Sequence, residues 1–372
     1  LIIAARDVCV IRPTTVERQV SAAVPNSTVP AGTVPARGAG LKIANRGAET
    51  RRMTITRYIK EIGRGKDGAR SLTDEQAHDL MSQVLDGQVT DLEVGAFALA
   101  MRIKGESTEE LTGFLRAAHE RCIGLRPSRP TVVLPSYNGA RKLPNLTPLL
   151  ALLLAQEGAQ VLVHGPMTDA GRVCSAEIFR DLGLPFARDA DEIENGWARR
   201  EPVFIATADL CPPLARLLDV RRIVGLRNSG HTIAKLLGPC TTDASLRVVN
   251  HTHPEYATAL AQFLTHTGAH AVLMRGTEGE PVADPRRAPK LDVFIGGQRR
   301  ADLSRAAHEG VLTELPVLPR EIDAATTAVY IQAVVSGEKP APAPLTQQVD
   351  CLMRALAAID MTSAPHEQQA GA

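Results

Sequence analysis

The feature that most constrains this chain is a change of hydrophobic period at Pro127–Pro130. Ahead of it, apolar residues recur at i, i+3 and i+4. The stretches SLTDEQAHDLMSQVLDGQ, TDLEVGAFALAMRIKGE and STEELTGFLRAAHERC each pair that stripe with an N-capping signal, and MTITRYIKEIGRG ends on glycines. Beyond it, the short apolar strand TVVLPS is followed by the helix LTPLLALLLAQEG and the strand QVLVHG, a βαβ unit. VFIATA, LRVVNHT, HAVLMRG and DVFIGG continue the alternation. The fold expected is therefore α/β: a small helical-bundle N-terminal domain, then a large α/β domain with a mostly parallel central sheet. One segment breaks the pattern. Residues 210–239, LCPPLARLLDVRRIVGLRNSGHTIAKLLGP, read as two helices and no strand, an insertion able to return onto the helical domain.

These periods set the expected boundaries. A helical domain spans 53–127 and is completed by 210–240; the α/β domain takes 128–209 and 241–358; 359–372 form a disordered tail. Residues 1–52, rich in Pro, Ala, Gly and Thr, carry no apolar periodicity and read as a disordered extension. The extension is Arg-rich and acid-poor, as organellar presequences are, but holds no Arg-rich amphipathic helix. Met53 opens the patterned region and is the expected start of the protein, which would put 1–52 upstream of translation.

Composition narrows the class. A hydrophobic content of 44% with only 3% aromatics fits an Ala/Leu/Val-rich cytoplasmic α/β protein, and no apolar run approaches the roughly 20 residues of a membrane helix. The six cysteines are scattered without a CxxC, which argues against structural zinc or a disulfide framework. Charge is unevenly spread. Residues 1–52 carry eight Lys/Arg against three Asp/Glu, so 53–372 carry 34 against 38, a net of −4. A nucleic-acid partner must therefore be argued from local clustering.

The loop between the first strand and its helix reads Ser136-Tyr137-Asn138-Gly139-Ala140-Arg141-Lys142. It has the outline of a phosphate-binding turn but one glycine where such turns usually carry several. His251-x-His253 lies at a strand-to-helix junction, where the spacing suits a turn and cap better than a metal, and no metal site is expected. No GxSxG, Walker loop or Cys/His nucleophile arrangement occurs.

The order of parts resembles the anthranilate phosphoribosyltransferase family and its pyrimidine nucleoside phosphorylase relatives over about residues 53–358. GLRNSGHTIAKLLGP is similar to that family's GxRTxFNxLGPLxNP. HPEYATALAQFLTHTGAHAVLMRG resembles the stretch before its metal-binding acids, and DAATTAVYIQAVVSG its C-terminal helix. The catalytic motifs depart. Where the family has GTGGD, this chain has Ser136-Tyr137-Asn138-Gly139-Ala140, and Tyr137 and Asn138 should obstruct a pyrophosphate. NIST becomes Asn145-Leu146-Thr147, KHGN becomes Val163-His164-Gly165-Pro166, and HGxDGLDE becomes Arg275-Gly276-Thr277-Glu278-Gly279-Glu280-Pro281-Val282. The resemblance implies a remnant phosphate pocket from Ser136, Tyr137, Asn138, Gly139, Asn145, Thr147, His164, Gly165, Arg275 and Glu278. IKEIGRGKDGAR and RGTEGEPVADPRR are close to a YbiB-type branch, for which the resemblance implies a homodimer, formed through the helical domain, that binds DNA or RNA with little sequence preference.

Clustered cations support that reading. Residues 126–142 hold four basic residues and no acid; 216–235 hold five against Asp219; 57–70 hold five against two acids. Basic residues on helices are more often simply a solvated face. The backbone contacts expected are Arg64, Lys66, Arg70, Arg141, Lys142, Arg221, Arg222, Arg227, Lys235, Arg286, Arg287 and Lys290, with Tyr137 the one aromatic placed to stack on a base. No cofactor is expected under this reading, and the protein is expected in the cytoplasm, with the nucleoid left open as its place there. The alternative is an active glycosyl or phosphoribosyl transferase on an aromatic or nucleobase substrate, using magnesium and phosphoribosyl pyrophosphate with Asn145, Thr147, His164, Glu278 and Glu280. A dimeric scaffold without ligand is the third.

Overall fold

The computed structural model describes residues 54–65, 67–240 and 245–363; Lys66, the extension 1–52 and the end of the tail lie outside them. Four helices come first: α1 (Thr56–Ile62), α2 (Asp74–Leu85), α3 (Asp91–Lys104) and α4 (Thr108–His119). Three successive capping boxes, Thr73/Gln76, Thr90/Glu93 and Ser107/Glu110, start α2, α3 and α4, each satisfying orphan N–H groups at both ends of the box. Gly113 lets α4 lie against α2, because a Cβ there would collide with the carbonyl oxygen of Asp74.

The α/β part then runs β1 (Thr131–Pro135), α5 (Thr147–Gln156), β2 (Gln160–Gly165), α6 (Ser175–Asp181), β3 (Phe186–Ala187), α7 (Ala190–Ala198) and β4 (Val203–Ala206). The insertion follows as α8 (Thr207–Leu210), α9 (Pro212–Val224) and α10 (Ser229–Leu236). The sheet resumes with β5 (Ser245–His251), α11 (Glu255–His266), β6 (Ala271–Arg275), β7 (Leu291–Ile295) and β8 (Gln298–Arg299), and closes with α12 (Ala324–Val335) and α13 (Ala343–Ser363). Strand order is β3-β4-β2-β1-β5-β6-β7-β8; pairing is parallel from β3 to β6 and antiparallel for β7 and β8. The two-residue strands β3 and β8 carry no pattern a sequence could show, and α13 continues past the expected end at 358.

The 210–239 insertion behaves as its pattern suggests: α9 packs on α2, and α10 on α3 and α4. One apolar layer, with Phe97, Phe114, Leu214, Trp197 and Phe263, joins the bundle to one face of the sheet. A second, with Leu149, Phe179, Phe204, Ile331 and Leu352, covers the other face. Order reverses around β1, so the loops after β1, β5 and β6 meet at the carboxyl edge where ligands of open α/β sheets bind. Among the described residues no helix is long and apolar enough to cross a membrane.

The bundle also holds a buried ion pair. Lys104 Nζ lies 2.6 Å from Glu110, whose other contacts are the main-chain N–H groups of Leu72 and Ser107, each at 2.9 Å. Glu110→Ala strands Lys104 and both amides, and should lower the unfolding free energy by about 3 kcal/mol in urea titration; unchanged stability would show that the pair does not organise the bundle.

Candidate functional site

The turn after β1 is filled by carboxylates from the turn after β6. Glu280, 1% exposed, accepts from the main-chain N–H groups of Asn138 and Gly139, both at 2.7 Å. Its second oxygen accepts from Ser136 Oγ and, at 3.3 Å, from Thr147 Oγ1, the first residue of α5. Glu278 accepts from the main-chain N–H groups of Lys142 at 2.8 Å, Leu143 at 3.1 Å and Arg141 at 3.3 Å. Five amides of one loop thus point at two carboxylates, the donor array that elsewhere receives phosphate. The β6 turn is shaped to reach them. Glu278 takes a left-handed φ of 52°, rare outside glycine, and Gly279 (φ 88°) leaves no room for a Cβ beside Asn138 Nδ2.

Around this latch the side chains are tied to one another. Asn138 donates to Glu278 O at 2.8 Å and accepts from Arg227 Nη1 at 2.7 Å. Lys235 donates to Gly279 O at 3.2 Å; burial lowers its pKa to about 8 against the pull of Glu280. Arg227 is lowered as well, by burial and then by neighbouring Arg221 and Arg172. Arg172 itself donates to Gly139 O at 3.1 Å, and Arg221 lies 3.5 Å from Asp169. Four cations, Arg172, Arg221, Arg227 and Lys235, therefore gather about two acids, Asp169 and Glu280. Arg172 escaped the sequence reading because it stands alone in its segment; only the fold brings it to the turn.

Tyr137 corrects an expectation. It is buried, and its hydroxyl is placed to accept from Thr207 Oγ1 at 3.1 Å and donate to His164 Nδ1 at 2.9 Å, while His164 Nε2 donates to Leu237 O at 3.2 Å. Burial lowers the His164 pKa to about 4, in keeping with the neutral ring this chain of bonds requires. Tyr137 braces strand ends and has no face free for a base. Gly165 lies so close to Ser136 O that a Cβ would not fit. Asn145 is likewise spent within the protein, on Val173 O and Ser175 Oγ, and Thr147 on Glu280.

The expected cations divide. Arg141, Lys142, Arg275 and Arg287 are exposed, and their side chains form no ion pair within 4 Å among the described residues. Arg286 is paired with Asp284, Lys290 with Asp292, and Arg222 with Asp219. Arg64 is held by Glu61, and no described contact joins it or the exposed Arg70 to the turn; Lys66 lies outside the described residues. Arg126 and Arg129 precede β1 and so sit at the opposite end of that strand. Lys142, Arg275 and Arg287 line a cleft of about 590 Å³ beside Glu278. For magnesium the residues do not fit: the Glu278 and Glu280 carboxylates already accept from main-chain N–H donors.

Comparison with known proteins places the chain. Residues 56–122 match the glycosyl transferase family helical bundle domain, and 139–291 the glycosyl transferase family a/b domain. An uncharacterised protein of Escherichia coli (strain K12), YbiB, is 40% identical over 304 residues, covering 81% of this chain and 94% of that protein. The chain belongs to this glycosyl transferase family. Among its family relatives, the anthranilate phosphoribosyltransferase of Nitratidesulfovibrio vulgaris is 28% identical, over 78% of this chain and 86% of its own. That of Symbiobacterium thermophilum is 31% identical, over 59% and 64%. The solved anthranilate phosphoribosyltransferase of Thermus thermophilus has the same fold, with a TM-score of 0.60 and 22% identity over 82% of this chain and 93% of that one.

Glu280→Ala leaves two amides and the Thr147 hydroxyl without this acceptor and should cost about 3 kcal/mol of stability. Pyrophosphate should raise the melting temperature of that variant and leave the wild type unmoved; a shift in the wild type would mean the turn is open.

Proposed function

We propose that this family member is a nucleic-acid-binding homodimer, contacting the phosphate backbone of DNA or RNA with little sequence preference, and not a working phosphoribosyl transferase. The observation that carries the reading is the turn itself. Its amides are satisfied by Glu278 and Glu280, while the side chains of Arg141 and Lys142 at its end are exposed and form no ion pair among the described residues. Anions are thereby directed from the interior to the rim. With Arg275 and Arg287, and the partly buried Arg172, Arg227 and Lys235 of the cluster, these side chains supply the cations a polyanion needs to release its counterions. The paired Arg64, Arg221, Arg222, Arg286 and Lys290 are assigned lesser parts.

The transferase reading draws support from relationship to anthranilate phosphoribosyltransferases and from the retained Asn145, Thr147 and His164. It requires Glu280 to leave four donors before phosphoribosyl pyrophosphate and magnesium could enter.

A second copy of the chain is the occupant proposed for the outer face of α3. Leu92, Leu99 and Ile103, at i, i+7 and i+11, are 84%, 48% and 58% exposed, opposite the buried Phe97 and Met101. Such a stripe is the seam of a helical interface. Light scattering should give a dimer for the wild type and a monomer for Leu99→Glu/Ile103→Glu; a monomeric wild type sinks the interface.

Electrophoretic titration across salt tests the backbone reading. Log affinity for duplex DNA should fall with log salt at about −0.9 per phosphate contacted, and Arg141→Glu/Lys142→Glu should flatten that slope by roughly two contacts. A flat response in the wild type would overturn it.

A further inference from the structure

The cleft beside Glu278 has a shape that backbone binding alone does not need. It opens at the carboxyl ends of β5 and β6, and its volume of about 590 Å³ is that of a small-ligand site. Leu273, Met274, Ala257 and Pro289 give it apolar walls. Its acids are already engaged: Glu278 by three main-chain N–H groups, Asp284 by Arg286, and Asp292 by Lys290 and Arg299. The side chains of Lys142, Arg275 and Arg287 remain on its lining outside any ion pair among the described residues. A hollow with apolar walls and three cations outside ion pairs suits a flat, weakly polar group attached to phosphates.

We infer that the cleft takes one unpaired nucleotide of a bound strand, its base against the apolar walls and its flanking phosphates on Lys142, Arg275 and Arg287. This rests on the nucleic-acid reading above and narrows it to single strands. A base inside a duplex would have to unstack and leave its partner before entering. Pure electrostatics predicts the opposite order, because duplex DNA carries one charge per roughly 1.7 Å of axis and a single strand far fewer. Strand preference is therefore a property of the cleft and not of the charged rim.

Fluorescence anisotropy at low salt, with labelled oligothymidylate and a duplex of equal length, tests this. The wild type should bind the strand about tenfold more tightly than the duplex. Ala257→Phe on α11, and separately Ala307→Phe at an exposed lining position, fill the cleft without changing charge. Each should abolish the strand preference and leave duplex affinity unchanged, whereas Arg141→Glu, at the turn, should weaken both. Equal affinities in the wild type, or both filled variants keeping the preference, would overturn the cleft assignment while backbone binding stands. If neither oligonucleotide binds the wild type, the nucleic-acid reading falls and the cleft assignment with it.

Discussion

A single buried carboxylate receiving two main-chain N–H groups holds this site in its present form. Glu280 joins the turn after β6 to the turn after β1, at the first residue of α5, where the helix dipole also favours negative charge. The features that make such a turn attractive to phosphate, convergent amides and a helix start, make it equally attractive to a carboxylate. An anion supplied by the chain itself is present at high effective concentration and carries no association cost, so an external one must displace it at the full cost of stranding Glu280. The left-handed Glu278 and the Cβ-free Gly279 are what allow the turn after β6 to bring its carboxylates that far.

Charge beyond the latch follows from it. Lys235 and Arg227 are drawn in around Glu280 and Asn138, and burial lowers the affinity of both for their protons. The side chains of cations farther out, Arg141, Lys142, Arg275 and Arg287, are exposed and stand outside any ion pair among the described residues. A body with net negative charge thus carries a group of exposed cations outside any ion pair at one edge of the sheet, the edge at which open α/β folds bind ligands.

Much of the fold was legible because period and caps are local. The change at Pro127–Pro130, the three capping boxes and the strand-poor 210–239 stretch each report structure within a few residues. The site was legible only in outline. Ser136 and Asn138 in place of glycines, with Tyr137 between them, show that the turn has changed, yet what fills it comes from residues 278–280, more than a hundred positions away, and no spacing rule links them. Tyr137 reads as an exposed loop aromatic until Thr207 and His164 are brought to its hydroxyl. Arg172 has no basic neighbours in sequence, and several residues of the basic runs prove to have acids across a turn, as Arg286 does with Asp284. Pairing of that kind is a property of geometry and not of local net charge.

Central to the account is that the wild-type turn is closed to an external diphosphate. Calorimetric titration with phosphoribosyl pyrophosphate and magnesium, followed by an oligonucleotide on the same preparation, measures this most directly. The account predicts no saturable heat from the first titrant and saturable binding of the second. Saturable binding of phosphoribosyl pyrophosphate, lost on changing Ser136 or Thr147, would contradict it.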